Sequence, residues 1–170
     1  RHIKFCKAKC ETFYGRDDCL RKMEEYIVGQ STKPMVVYGV SGCGKTSLMA
    51  KGAYLARQWT NDKAGVILRF IGTSQRSTTI KGLLQSLTQQ IKRIYRTEVT
   101  DYENVKVIEK DFMQSLELAN AAMPLILILD SLDQLDPANN ARQLKWLPEK
   151  LSDHCKVILS TPPDENYQCY

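Results

Sequence analysis

The sequence has no apolar run near the ~20 residues that a membrane-spanning helix needs; its longest, Leu125 to Leu129, has five. Histidine is scarce, with His2 and His154 far apart. No CxxC occurs among Cys6, Cys10, Cys19, Cys43, Cys155 and Cys169, so the spacing of a zinc site is missing. Six cysteines in 170 residues are too sparse for a disulfide-stapled secreted scaffold. They are read as reduced thiols of a cytoplasmic protein. Charge of one sign is not in large excess: 24 Lys+Arg against 19 Asp+Glu leave +5. That balance tolerates an anionic ligand and gives no ground for expecting nucleic acid or a membrane surface. Low-complexity tracts, internal repeats and a signal-like apolar region near the start are also absent.

What remains is globular composition, 43% hydrophobic and 25% charged, which argues against a disordered tail or a coiled coil. A chain of 170 residues is one domain that can bury ~70% of its unfolded surface without help from metal or disulfide. It begins with Arg1 rather than Met, which reads as a segment of a longer protein. Residues 1–30 are expected to be an arm and helix leading into a core over 31–170.

Four short apolar runs read as strands: Met35–Tyr38, Val66–Ile71, Leu125–Leu129 and Val157–Leu159. Between them lie helical stripes. Ile80, Leu83, Leu84, Leu87, Ile91 and Ile94 follow the i, i+3, i+4, i+7 pattern. Val105, Ile108, Phe112, Leu116 and Ala119 repeat it, and Leu144, Leu147 and Leu151 predict a further helix. Another helix is expected over about Asp17 to Ile27. Alternating strands and helices imply a parallel sheet covered on both faces. The third run supports this because it does not alternate, so both of its sides must be buried.

Gly39-Val40-Ser41-Gly42-Cys43-Gly44-Lys45-Thr46 fits GxxxxGK[ST], between a strand and the helix-forming run that begins Thr46-Ser47-Leu48. Glycines let consecutive backbone N–H groups turn inward toward an anion. A helix starting near Gly44 adds free N–H groups and the positive end of its dipole. In this pattern Lys45 reaches the β- and γ-phosphates and the Thr46 hydroxyl ligates Mg²⁺. The expected phosphate contacts are Gly39, Ser41, Gly42, Cys43, Gly44, Lys45, Thr46 and Ser47.

The third strand runs into Asp130-Ser131-Leu132-Asp133-Gln134-Leu135-Asp136. A carboxylate delivered at the carboxyl end of a buried parallel strand is the second half of a phosphate-loop magnesium site. Asp130 is therefore the expected metal ligand. Asp133 is the candidate to orient or deprotonate an attacking water, with a turn cap as the alternative; Asp136 before Pro137 reads as a turn residue. After the fourth strand, Ser160 or Thr161 could sense a γ-phosphate through its hydroxyl. Thr73, Ser74 and Ser77 could approach the site, with helix capping by Ser77 or Thr78 as the alternative.

Taken in order, Phe13-Tyr14-Gly15-Arg16, the phosphate loop, Arg69-Phe70-Ile71-Gly72-Thr73-Ser74 and Leu129-Asp130-Ser131-Leu132-Asp133-Gln134 resemble a NACHT domain of the signal-transduction ATPases with numerous domains. The wording is most similar to the NACHT and WD-repeat group and the related telomerase-associated protein, over Phe13 to Pro163. The resemblance implies a P-loop NTPase three-layer sandwich. It also implies an ATP/ADP-operated switch with Mg²⁺, self-association through NACHT domains in the parent protein, and slow or no hydrolysis. Tyr14 and Gly15 are expected against the adenine with Arg16 beside it, unless Arg16 is a solvated charge at a helix start. Two departures stand out: Gln134 replaces a frequent Glu, and Pro162 stands where an arginine is common. An active AAA-type ATPase or phosphotransferase is the competing reading. Arg76 and Arg142 are available to it, but no cluster of arginines follows the third strand. The sheet order expected is phosphate-loop strand, Ser160 strand, Asp130 strand, then Val66–Ile71 outermost. A fifth strand beside the first is expected beyond about Tyr170.

Overall fold

The computed structural model describes residues 15–99 and 104–163. In chain order these form α1 (Asp17–Val28), β1 (Met35–Tyr38), α2 (Lys45–Trp59), β2 (Gly65–Phe70), α3 (Gln75–Thr78), α4 (Ile80–Ile94), α5 (Val105–Leu116), β3 (Leu125–Asp130) and β4 (Cys155–Thr161). Short 3₁₀ turns cover Leu132–Gln134 and Ala138–Gln143. The strands form one sheet in the order β1-β4-β3-β2, every pairing parallel. This is the order expected from the sequence.

All six residues of β3 are buried, and the strand feeds two cores. Leu125, Leu127 and Leu129 join Ile67, Val157 and Leu159 beneath the apolar stripes of α4 and α5. Ile126 and Ile128 join Ile158 with Met23 and Ile27 of α1 and Leu48 and Met49 of α2 on the other face. Each fully buried aliphatic side chain contributes ~1.5–3 kcal/mol of transfer free energy. Both faces must therefore be covered, and the result is helices, sheet, helices. The chain crosses from β1 to the far edge at β2, then returns through β3 and β4. The carboxyl ends of β1, β4 and β3 thus lie side by side, the geometry in which open α/β sheets bind ligands.

The expected helix over Leu144, Leu147 and Leu151 does not form. Asn139, Asn140 and Leu144 adopt left-handed φ of 58°, 55° and 54°, and Pro148 lacks the N–H that a helix here would use. The leucines still point inward: Leu147 and Leu151 are buried, and Leu151 N–H donates to Thr32 O at 2.7 Å. The spacing reported burial correctly and conformation wrongly. The capping expected of Ser77 or Thr78 is met by Ser77 on the short helix. Ser74 and Ser77 close a capping box on α3, while α4 is capped by Thr79, whose side chain accepts from Gly82 N–H. Neither Ser77 nor Thr78 caps the long helix.

Where β1 has not yet begun, side chains replace its hydrogen bonds. Tyr26 Oη donates to Val157 O at 3.0 Å and accepts from Val157 N–H at 3.1 Å. Burial pushes its phenol up to about 12. Lys156, 5% exposed, donates to Gly29 O at 2.8 Å and Ser31 O at 2.6 Å, holding the α1–β1 loop to the sheet. Lys156→Met removes the donor from two carbonyls, an expected loss of about 1–3 kcal/mol. Urea unfolding should show a lower midpoint at unchanged slope.

Candidate functional site

The loop after β1 turns on two glycines. Gly42 and Gly44 have φ of 77° and 88°, where any side chain would be strained. Gly39 is tight for another reason: a Cβ there would lie 2.8 Å from Cys43 Sγ. Cys43 N–H donates to Val40 O at 3.2 Å, closing the turn. The chain then enters α2 at Lys45, with Gly44 as N-cap and no side-chain cap. The first-turn N–H groups of α2 are therefore left for whatever lies in the loop. Lys45 Nζ donates to Gly39 O and, at 3.1 Å, to Val40 O, which holds its ammonium over the cup. Ser41, Gly42 and Gly44 are exposed around the rim, and Ser47 is half-buried in the first turn of α2.

Asp130 sits 2% exposed at the end of β3 and is tied to the cup directly. Thr46 Oγ1 donates to Asp130 Oδ2 at 2.7 Å across 84 residues of sequence. Ser131 Oγ donates to the same oxygen at 3.3 Å, and Ser160 Oγ donates to Oδ1. Ser160 Oγ in turn accepts from Ser131 N–H at 2.9 Å. Among the described residues no cationic side chain pairs with this carboxylate. A buried carboxylate whose partners are hydroxyls rather than a cation is a donor set that a bound cation would complete. One carboxylate beside one hydroxyl also suits Mg²⁺, which keeps waters and phosphate oxygens rather than filling an all-protein cage. Thr46 and Asp130 are the residues that fit it.

Ser160 is placed differently from its expected role. It is fully buried and its hydroxyl both donates and accepts within the Asp130 network, so its observed work is to hold Asp130. Ser160→Ala should weaken Mg²⁺-dependent nucleotide binding by ~3–10-fold, equivalent to ~0.7–1.4 kcal/mol. Binding in EDTA should hardly change; titration calorimetry in the two buffers checks this. Thr161 is buried, and its hydroxyl donates to Pro162 O at 3.4 Å.

Other expected residues gather less closely. Arg16, left-handed at φ 62°, precedes α1 and donates to Cys43 O of the phosphate loop. It is therefore no free solvated charge. Gly15, φ 79°, has open space around it, and Tyr14 lies outside the described residues. Asp133, in the turn after β3, accepts from the Gln134 amide at 2.6 Å. Asp136 accepts from Ala138 N–H at 2.8 Å, a turn contact. Thr73 donates to Phe70 O at 2.9 Å. Arg142 Nε donates to Leu135 O at 2.8 Å; the side chain of Arg76 is outside the described residues. Cys19, Cys43 and Cys155 are free thiols, and burial pushes Cys155 up to about 12. Cys6, Cys10 and Cys169 lie outside the described residues.

Sequence reasoning missed Ser131. Its φ of 66° turns the chain sharply at the strand end, so that its N–H and hydroxyl both enter the network. Nothing in the sequence signals that conformation. Gly72, φ 84°, was also missed: a Cβ there would lie 3.0 Å from Gln134 Cβ, so it brings the β2 loop against the turn after β3.

A parallel sheet with a glycine-turned loop after its first strand, a lysine at the next helix start and a strand-end carboxylate bonded to the following threonine defines a P-loop NTPase. The sequence profile of the NACHT domain matches residues 33–168. The chain belongs to the NACHT family. It is 33% identical, over 98% of its length, to NACHT and WD repeat domain-containing protein 2 of Mus musculus. It is 30% identical, over 94% of its length, to NACHT domain- and WD repeat-containing protein 1 of Homo sapiens. The matches span 10% and 11% of those relatives, so the chain corresponds to about a tenth of their length. Among solved structures, the ORC1 protein of Aeropyrum pernix in complex with DNA superposes with a TM-score of 0.65 at 14% identity, covering 95% of this chain and 44% of that one. That likeness concerns fold. Among the described residues no helix is long and apolar enough to cross a membrane.

Proposed function

We propose that this chain is the nucleotide-operated switch module of a larger multidomain protein. It binds ATP and ADP with Mg²⁺, turns over slowly or not at all, and couples nucleotide state to self-association and scaffold assembly in the cytoplasm. In this reading residues 1–30 form an arm that leads into a nucleotide-binding core over 31–170. The observation that carries the reading is the 2.7 Å bond from Thr46 to Asp130, which joins the phosphate cup to the metal-binding strand end.

The residues then divide the work. Loop amides from Ser41 to Thr46 and the start of α2 take the phosphate oxygens, and Lys45 neutralises the outer phosphates. Thr46 and Asp130 hold Mg²⁺, which shields phosphate charge when bound. Tyr14, Gly15 and Arg16 are the residues for the base side; the Arg16 contact with Cys43 O supports that role because it ties the start of α1 to the loop. Asp133 is the residue for water activation. Its carboxylate is engaged by Gln134, an amide that cannot act as a base, and Pro162 offers no donor. Charge stabilisation specific to the transition state is therefore weak, while ground-state binding is not.

A switch requires different affinities for the two nucleotides in its two conformations. Phosphate release from ATP should run well below the ~10 s⁻¹ typical of enzymes and fall further in Asp133→Asn. Rapid, Asp133-dependent turnover would instead make the chain an active ATPase.

A further inference from the structure

The turn after β3 is held by the segment that follows β2. Ile71 N–H donates to Asp130 O at 3.0 Å before the turn, and Asp136 N–H donates to Thr78 O at 2.7 Å after it. Leu132 and Leu135, both buried, fix the turn to the core. Gln134 stands between these ties. A Cβ at Gly72 would lie 3.0 Å from Gln134 Cβ, 3.3 Å from its Cγ and 3.5 Å from its Oε1. The glutamine therefore lies along the glycine from stem to amide, in space that a side chain at position 72 would take. Exposed as it is, its direction is set.

The amide at its end is engaged within the turn. Nε2 donates to Asp133 Oδ2 at 2.6 Å, and a bond to a carboxylate is stronger than one between neutral groups. Direction matters here. Gly72 follows β2, and β2 flanks β3 on the side away from β4 and β1. The phosphate loop follows β1, three strand spacings or roughly 14 Å from β2. A carboxylate tied to an amide that rests on Gly72 is drawn toward the β2 edge and not toward the cup.

We infer that Gln134 is a positioning residue that brakes hydrolysis by holding the Asp133 carboxylate off the attacking water. The inference rests on the proposed role of Asp133 in water activation. In that reaction the water oxygen bonds to the γ-phosphorus, and the bond from that phosphorus to the β–γ bridging oxygen breaks to leave ADP. The water proton passes to the Asp133 carboxylate and from there to solvent. Turning the carboxylate toward the cup breaks its bond with Gln134, and the amide cannot take the proton in its place. Gly72 belongs to the brake because it leaves the glutamine its resting place.

Steady-state phosphate release from ATP with Mg²⁺ tests this on the chain and on Gln134→Met, which keeps a stem of similar length against Gly72 and deletes the donor. The expected result is a kcat at least about tenfold higher, as when a charge-assisted hydrogen bond is lost from the ground state alone, with KM for ATP unchanged. A merely structural role would lower kcat or raise KM instead. In Gln134→Met combined with Asp133→Asn the gain should vanish. An unchanged or lower kcat in folded Gln134→Met, while Asp133→Asn still slows the parent chain, would overturn the inference and leave the role of Asp133 standing. A gain that survives Asp133→Asn would overturn both. Absence of phosphate release from every form would also overturn the brake, while leaving the nucleotide-binding reading intact.

Discussion

Asp130→Ala should abolish the contribution of Mg²⁺ to nucleotide affinity. Asp130 is the shared acceptor of Thr46, Ser131 and Ser160, so the substitution removes the proposed metal ligand and frees three hydroxyls in one step. A charge-assisted hydrogen bond contributes about 1.5–3 kcal/mol, and the metal contact is lost in addition. The expected outcome is more than about a hundredfold loss of ATP affinity in Mg²⁺ buffer, with a much smaller change in EDTA. Asp130→Asn keeps the shape and separates the effects: its amide preserves part of the network but carries no charge for the metal. Calorimetric titration of both variants with and without Mg²⁺ checks this. Equal losses in the two buffers would mean that Asp130 supports the fold rather than the ion.

Lys45→Ala is the second large effect. The ammonium is held by Gly39 O and Val40 O, two carbonyls of the loop itself, and thus sits where a polyphosphate would need charge. Its removal deletes a charge-assisted contact of about 1.5–3 kcal/mol, so affinity for ATP and ADP should fall at least about tenfold. Thermal unfolding without nucleotide should change little. Lys45 is therefore a cleaner probe than Asp130, which is itself buried. Unchanged affinity in the folded variant would contradict the assignment of the cup.

Much of this arrangement was legible from the residues, for definite reasons. β3 was readable because a strand buried on both faces cannot alternate, and its run of Leu and Ile does not. The cup was readable because glycine is needed where φ is positive, at Gly42 and Gly44, and lysine and threonine follow at fixed spacing. Leu144, Leu147 and Leu151 show the limit: apolar spacing reports which side chains face the core, and Pro148 with three left-handed residues settles the backbone otherwise. Ser160 shows another. A hydroxyl at a strand end can face a ligand or a neighbouring carboxylate, and only the register of β3 against β4 decides that it meets Asp130. Arg16 likewise had two readings in sequence, and the turn at Gly15–Arg16 brings it to Cys43 O.

The central claim is that the loop of residues 39–46 and Asp130 form one site for an adenine nucleotide with its metal. Titration of the chain with ATP in Mg²⁺ and in EDTA tests it most directly. The expected result is one saturable site whose affinity rises with Mg²⁺, and that rise disappears in Asp130→Asn. A folded chain that takes up no adenine nucleotide, or whose binding is indifferent to Mg²⁺ and to Asp130, would contradict it.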